Sequence, residues 1–186
     1  MSGQPHRKTR RTFNIAGHAH ALTFSCYHGL KLLNNNRTRQ WLLEAVDLAR
    51  DRYRFDVWAY VIMPEHVHLL IRPNSVYDMS AILKAIKQPV ARKAMQYLRE
   101  HDPALLAELA VRRPSGRTEH RFWQQGGGYD RNIHDPATAR HIIDYIHHNP
   151  VRRGLAAGPI DWPWSSARWY ADLGDVKLAI DQPDFC

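Results

Sequence analysis

"YVIMPEHVHLLIRP", residues 60–73, places two histidines one residue apart inside an apolar, strand-like run. Side chains of a strand alternate between its faces, so His66, His68 and Leu70 share one face while Val67, Leu69 and Ile71 take the other. Two imidazoles on one face of a buried strand cost free energy unless their nitrogens find partners, and a divalent cation satisfies both at once. Core histidines bonded to backbone are the competing reading, and this stretch alone does not choose between them. Pro64 is poorly tolerated inside a central ladder, so "FDVWAYVIMP" and "HVHLLIRP" form either one hairpin or one long strand interrupted there.

Outward from this stretch, "HALTFSCYHG" reads as a first strand, and "NNNRT" offers a turn into "RQWLLEAVDLARDRY", where Trp41, Leu42, Val46 and Ala49 recur at helical spacing. Downstream, "MSAILKAIKQPVARKAMQYLRE" is a long helix with Met79, Ile82, Leu83, Ile86 and Val90 on one arc. Lys84 and Arg92 fall opposite, with Lys87 at the edge, and Pro89 should kink or split this helix. Residues 103–111 suggest a short helix and "VRRPSGRTEH" a polar, basic loop, which makes 101–120 an insertion. "FWQQGGGYD" is strand or loop running into Gly126, Gly127 and Gly128, a turn or a hinge. "DPATARHIIDYIHHNP" starts a helix with Asp135 as N-cap and Pro136 in the first position, and Pro150 should end it near Asn149. Strand, helix, strand, strand, helix and a further helix argue for an α+β fold with an antiparallel sheet. The expected division is a basic tail at 1–14, one domain at 15–172 and a C-terminal tail at 173–186.

A chain of 186 residues can bury its own core without staples. Cys26 and Cys186 form neither a disulfide framework nor a zinc motif, which suits a reducing cytoplasm. No apolar segment approaches the length of a membrane span, so neither export nor membrane insertion is expected. The net charge is +8, and no acidic residue precedes Glu44, whereas Arg7, Lys8, Arg10, Arg11, Lys31, Arg37 and Arg39 do. Such a front end suits a polyanion.

On the helix of residues 135–149, Ile142, Ile143 and Ile146 make the core-facing stripe. Tyr145 and Asn149 are four apart and lie above one another, roughly 6 Å apart along the axis. Arg152 and Arg153 follow, where cations suit a helix C-terminus and also suit phosphate. Trp123, Trp162 and Trp164 could stack on unpaired bases or pack a C-terminal segment.

"MPEHVHLLI", "FWQQGGGYDRN", "YIHHNPVRRGL" and "DWPWSSARWY", in this order and spacing, resemble the REP-associated tyrosine transposases. These are relatives of the single-tyrosine HUH transposases of small bacterial insertion sequences. The resemblance spans roughly residues 15–170 and implies a ferredoxin-like antiparallel sheet with packed helices, of the HUH endonuclease type. It further implies His66 and His68 as metal ligands, Tyr145 as the nucleophile on a facing helix, and Asn149 as the polar residue completing the metal site. The insertion-sequence relatives usually carry Gln at that last position. Where many relatives have "MPNH" this chain has Glu65, which pleat alternation turns away from His66, so it reads as a residue supporting the site or lying on the surface and not as a ligand. His18 and His20 of "GHAH" are a competing pair.

The implied chemistry is strand cleavage and transfer on single-stranded DNA with a hairpin, such as a REP palindrome. A free phenol has a pKa near 10, so about one in a thousand is phenolate at neutral pH, and a Mg²⁺ or Mn²⁺ ion on the phosphate would help. The product would be a 5′-phosphotyrosine and a free 3′-hydroxyl, made by a monomer or homodimer. Arg10, Arg11, Lys84, Lys87, Arg92, Arg152 and Arg153 are the expected DNA contacts, and the three glycines the hinge. A catalytically silent nucleic-acid-binding protein of the same fold is the alternative.

Overall fold

The chain forms, in order, β1 (Ala19–Ser25), α1 (Asn36–Tyr53), β2 (Phe55–Ile62), β3 (His66–Pro73), α2 (Met79–His101), α3 (Pro103–Glu108), β4 (Ala110–Arg112), β5 (Thr118–His120), β6 (Tyr129–Ile133), α4 (Pro136–Arg152) and α5 (Ala167–Tyr170). This computed structural model describes residues 15, 17–75 and 77–184. The basic segment 1–14, with Arg10 and Arg11, and Cys186 lie outside the described residues.

Of the two readings around Pro64, the hairpin is the one observed: β2 and β3 pair antiparallel, with Ile62 opposite Val67. β3 pairs with β1, and β1 with β6, all antiparallel, in the order β2-β3-β1-β6. With α1 joining β1 to β2 and α2 on the path from β3 to β6, this is the ferredoxin-like arrangement.

The alternation along β3 separates two cores. Val67, Leu69 and Ile71 join Leu22, Phe24, Ile82, Ile86 and Val90 under α1 and α2. Leu70 joins Val61, Ile133, Ile143 and Ile146 under α4. Helix starts are held by the side chains of Asn35, Asp78 and Asp135, which accept backbone N–H groups of the first turn. Each such cap contributes about 1 kcal/mol. Asp135 and Pro136 play the roles that their order suggests.

Several expectations are corrected. α2 is not split by Pro89 but runs on as one helix, because its buried stripe continues on both sides through Ile86, Val90 and Ala94. α4 does not stop near Asn149; it carries Pro150 in its last turn and ends at Arg152, with Arg153 as C-cap. Pro150 is buried, and its carbonyl accepts the Leu155 N–H, so packing and the turn that follows outweigh the local preference. The short helix ends at Glu108, and "VRRPSGRTEH" is largely a hairpin of β4 and β5 turning at Gly116. The stretch after the glycines is a strand, β6, whose central residues are polar because it forms the sheet edge.

The C-terminal segment lies along the outer edge of β2. Ile62 N–H donates to Trp164 O and Ser166 N–H to Tyr60 O, while Asp181 accepts from Val57 N–H and Arg50. Leu178 is buried in the core, so chain beyond residue 172 seals an edge that would otherwise expose unpaired backbone. Trp123 and Trp164 are buried, and Trp162 donates its indole N–H to Ile62 O. Among the described residues no helix is long and apolar enough to cross a membrane.

Candidate active site

α4 packs on the same sheet face that carries His66 and His68, which is how Tyr145 and Asn149 reach histidines far from them in the chain. The two imidazoles lie edge to face, with Nε2 of His66 3.1 Å from Nε2 of His68. Each ring has its other nitrogen engaged. Nδ1 of His66 lies 3.0 Å from Glu65 Oε1, and Nδ1 of His68 lies 2.8 Å from Thr23 Oγ1 on the neighbouring strand. A proton on each Nδ1 would leave a lone pair on each Nε2, the two atoms being 3.1 Å apart. Metal-binding histidines are oriented in this way, through a carboxylate or hydroxyl on the far nitrogen.

Glu65 thus takes the supporting role expected for it, but by bonding His66 Nδ1 and not by turning away from that ring. It precedes β3 and sits in the hairpin turn, where strand alternation does not apply, and its carboxylate also accepts a bond from Arg153 at 2.5 Å. Thr23 was not singled out by the sequence. The signal that finds it is register: Thr23 stands opposite His68, and a small hydroxyl residue on that face can reach Nδ1.

Burial holds the His68 pKa down to about 4, reinforced by the His66 ring and opposed by a hydrogen bond with the Asn149 side chain. Burial lowers His66 as well, with Glu65 pulling the other way. Both imidazoles are thus neutral at pH 7, the state that offers a lone pair. Asn149 is buried; its amide nitrogen donates to Tyr145 O at 3.0 Å, and its side chain hydrogen-bonds His68. Among the described residues no three His, Cys, Asp or Glu side chains form a metal cluster; here the third donor would be an amide. Adjacent ligands of an octahedral ion held at about 2.1 Å are about 3 Å apart, so the Nε2 separation fits a divalent cation.

Tyr145 is 41% exposed, its ring edge-on to His68 with centroids 5.5 Å apart. The guanidinium of Arg152 lies 4.7 Å from the Tyr145 ring centroid, which puts positive charge beside that ring. Arg153 is committed to Glu65. Lys84 and Lys87 line a separate groove with Gly126 and Gly127, where Lys87 Nζ donates to Gly126 O. Arg92 is exposed further along α2. The basic residues thus do not form one cluster around Tyr145.

Gly126 and Gly128 have φ of +98° and +77°, and a Cβ on Gly128 would fall 2.1 Å from Thr23 O. This glycine turn brings β6 close against the strand that holds Thr23. The competing pair is resolved by the sheet: His20 points to the opposite face, fully buried, with Nδ1 2.7 Å from Asp130 and Nε2 on the Tyr77 hydroxyl. Both ring nitrogens of His20 are thus engaged, so the two histidines do not converge as His66 and His68 do.

The family comparison places this sheet, its two imidazoles and the facing tyrosine among DNA-processing enzymes. The chain matches the family described as "Transposase IS200 like" over residues 18–149 and belongs to it. It is 28% identical over 137 residues to the REP-associated tyrosine transposase of Escherichia coli (strain K12), covering 73% of this chain and 67% of that one. It is 29% identical over 158 residues, 81% of each chain, to a protein of Haemophilus influenzae assigned to the same class. A solved REP-associated tyrosine transposase bound to a REP hairpin shares the fold, with a TM-score of 0.66 at 23% identity over 96% of this chain and 95% of that one.

Proposed function

We propose that this chain is a metal-dependent transposase that cuts and rejoins single-stranded DNA at hairpin-forming repeats, with Tyr145 as nucleophile and His66, His68 and Asn149 holding Mg²⁺ or Mn²⁺. The observation that supports the reading best is the meeting of these four residues on one sheet face, the Nε2 atoms 3.1 Å apart, Tyr145 edge-on to His68 and Asn149 hydrogen-bonded to it. Hairpin repeats as substrate rest on the relatives, two of which are REP-associated and one of which was solved with a REP hairpin.

A bound divalent cation would neutralise charge on a non-bridging phosphate oxygen and favour departure of the 3′-oxygen. Tyr145 loses its phenolic proton, forms the O–P bond and displaces the 3′-oxygen, which takes up a proton. The phosphodiester is conserved as a 5′-phosphotyrosine, so a second 3′-hydroxyl can reverse the step without hydrolysis. Arg152, over the tyrosine ring, meets the incoming phosphate. Glu65 and Thr23 keep the imidazoles in the tautomer that presents Nε2. Lys84, Lys87 and Arg92 would hold the strand backbone at a distance from the cut, and Arg10 and Arg11 of the basic front end are kept as further DNA contacts. Of the three glycines expected as the hinge, Gly126 and Gly127 keep that role, with Gly128 packed against Thr23 O as its anchor, and the enzyme is taken to work in the cytoplasm as a monomer or homodimer.

The test is to incubate the protein with end-labelled single-stranded DNA from its flanking genomic repeats and Mn²⁺, then look for an adduct that survives SDS. An adduct lost with EDTA is expected. Binding without any adduct would instead identify a catalytically silent nucleic-acid-binding protein of this fold.

A further inference from the structure

α4 covers only part of its sheet face. Ile143 and Ile146 seat over β2 and β3, against Val61 and Leu70. Over β1 and β6 the small side chains of Ala21 and Thr23 leave a cleft of about 470 Å³. Tyr129 and Arg131 of β6 form one wall, and Ile142 and Tyr145 of α4 the other, with His68 at its end. Tyr129 and Arg131 face this side because β6 alternates, sending Asp130 and Asn132 towards His20 on the opposite face. Tyr129 is 40% exposed and Arg131 is exposed, and both line the same cleft as the proposed nucleophile.

We infer that this cleft is a subsite for one unpaired nucleotide next to the scissile phosphate. The base stacks on Tyr129 and packs over Ala21 and Ile142, and a neighbouring phosphate meets Arg131. The inference rests on the function proposed above and specifies which part of the substrate that site reads. The volume lies within the range of small-molecule sites, about 300–1,000 Å³. A base inside a duplex is stacked on both sides and cannot enter such a cleft, whereas an unpaired one can. Stacking on an aromatic ring is tolerant of base identity, so the cleft senses that the nucleotide is unpaired more than which base it is. It also gives Tyr129, the other exposed tyrosine near the glycines, a role that needs its ring and not its hydroxyl.

The test uses hairpin-bearing single strands from the flanking repeats, with an abasic site placed at each unpaired position in turn. Affinity is measured in a Tyr145→Phe background so that the strand stays intact. One abasic position should weaken binding by about 5- to 100-fold, and Tyr129→Ala should cause a similar loss on the unmodified strand. Tyr129→Ala should then bind that abasic strand as well as the background protein does, which a misfolded variant could not. With Tyr145 intact, Tyr129→Phe should retain both affinity and adduct. Additive losses, or no sensitive position, would overturn the subsite while leaving an adduct on Tyr145 intact. Absence of any adduct with a sensitive position still present would overturn the strand-transfer reading and leave the subsite standing.

Discussion

Thr23 and His68 face each other across adjacent strands, with Thr23 Oγ1 2.8 Å from Nδ1 of His68. This bond selects the tautomer that directs Nε2 towards His66. Thr23→Val keeps the shape and strand preference but removes the acceptor. It should weaken Mn²⁺ binding by about 10- to 100-fold, the usual cost of losing such a support. Titration followed by the electron paramagnetic resonance of free Mn²⁺ checks this, and an unchanged affinity would refute the role of Thr23.

Tyr145→Phe should abolish adduct formation while leaving DNA binding within a few-fold, because only the attacking oxygen is removed. His66→Ala and His68→Ala should lose both Mn²⁺ binding and cleavage. The adduct should carry the 5′ side of the break, with a 3′-hydroxyl on the released strand. Labelling each end in turn and digesting the protein to a peptide reads this polarity, and a peptide on the 3′ phosphate would exclude the mechanism.

DNA affinity should fall steeply with salt. For about five phosphate contacts on a single strand, log affinity against log salt should have a slope on the order of −3.5. Lys84, Lys87 and Arg92 lie along α2, away from Tyr145, so their replacement by alanine should flatten the slope without removing the adduct at low salt. A flat response in the native protein would point away from a polyanion.

Gly128→Ala should destabilise the fold by at least about 2 kcal/mol, since φ is +77° and the new Cβ would meet the Thr23 carbonyl at 2.1 Å. Gly127→Ala, with nothing within 4 Å of its Cβ, should be tolerated. Urea denaturation of both variants distinguishes a close-packed turn from a freely moving linker, which would tolerate both.

Stability of the metal-free protein should drop in mild acid. Burial holds His147 down to about 4, where it packs beside Tyr170 and bonds Ser166 Oγ. The unfolded chain takes up that proton near pH 6.5, so between pH 6.5 and 4 the unfolded state binds more protons, and stability falls as pH falls. The slope is about 1.4 kcal/mol per pH unit for each such group. His68 adds to it with the same sign. Urea midpoints across this range measure the effect, and His147→Gln should make it shallower.

Much of the site was legible in the residues. His-x-His in an apolar run dictates that both imidazoles share one face, and a four-residue interval dictates that Tyr145 and Asn149 share one helical ledge. Both are local consequences of backbone period, and the structure shows both. The boundaries that failed did so where non-local packing overrode local preference. Pro89 and Pro150 stay helical because buried faces hold them, and the polar β6 exists because β1 offers it an open edge.

By itself the sequence determined which side chains alternate, which lie one turn apart, and where charge and glycine collect, because these follow from the geometry of a single strand or helix. Only the tertiary structure decided that α4 lies across the histidine face, that Thr23 and Glu65 orient the two rings, and that His20 points the other way to Asp130 and Tyr77. Those relationships depend on strand order and pairing register, which join residues far apart in the chain and are settled by burial of the whole sheet.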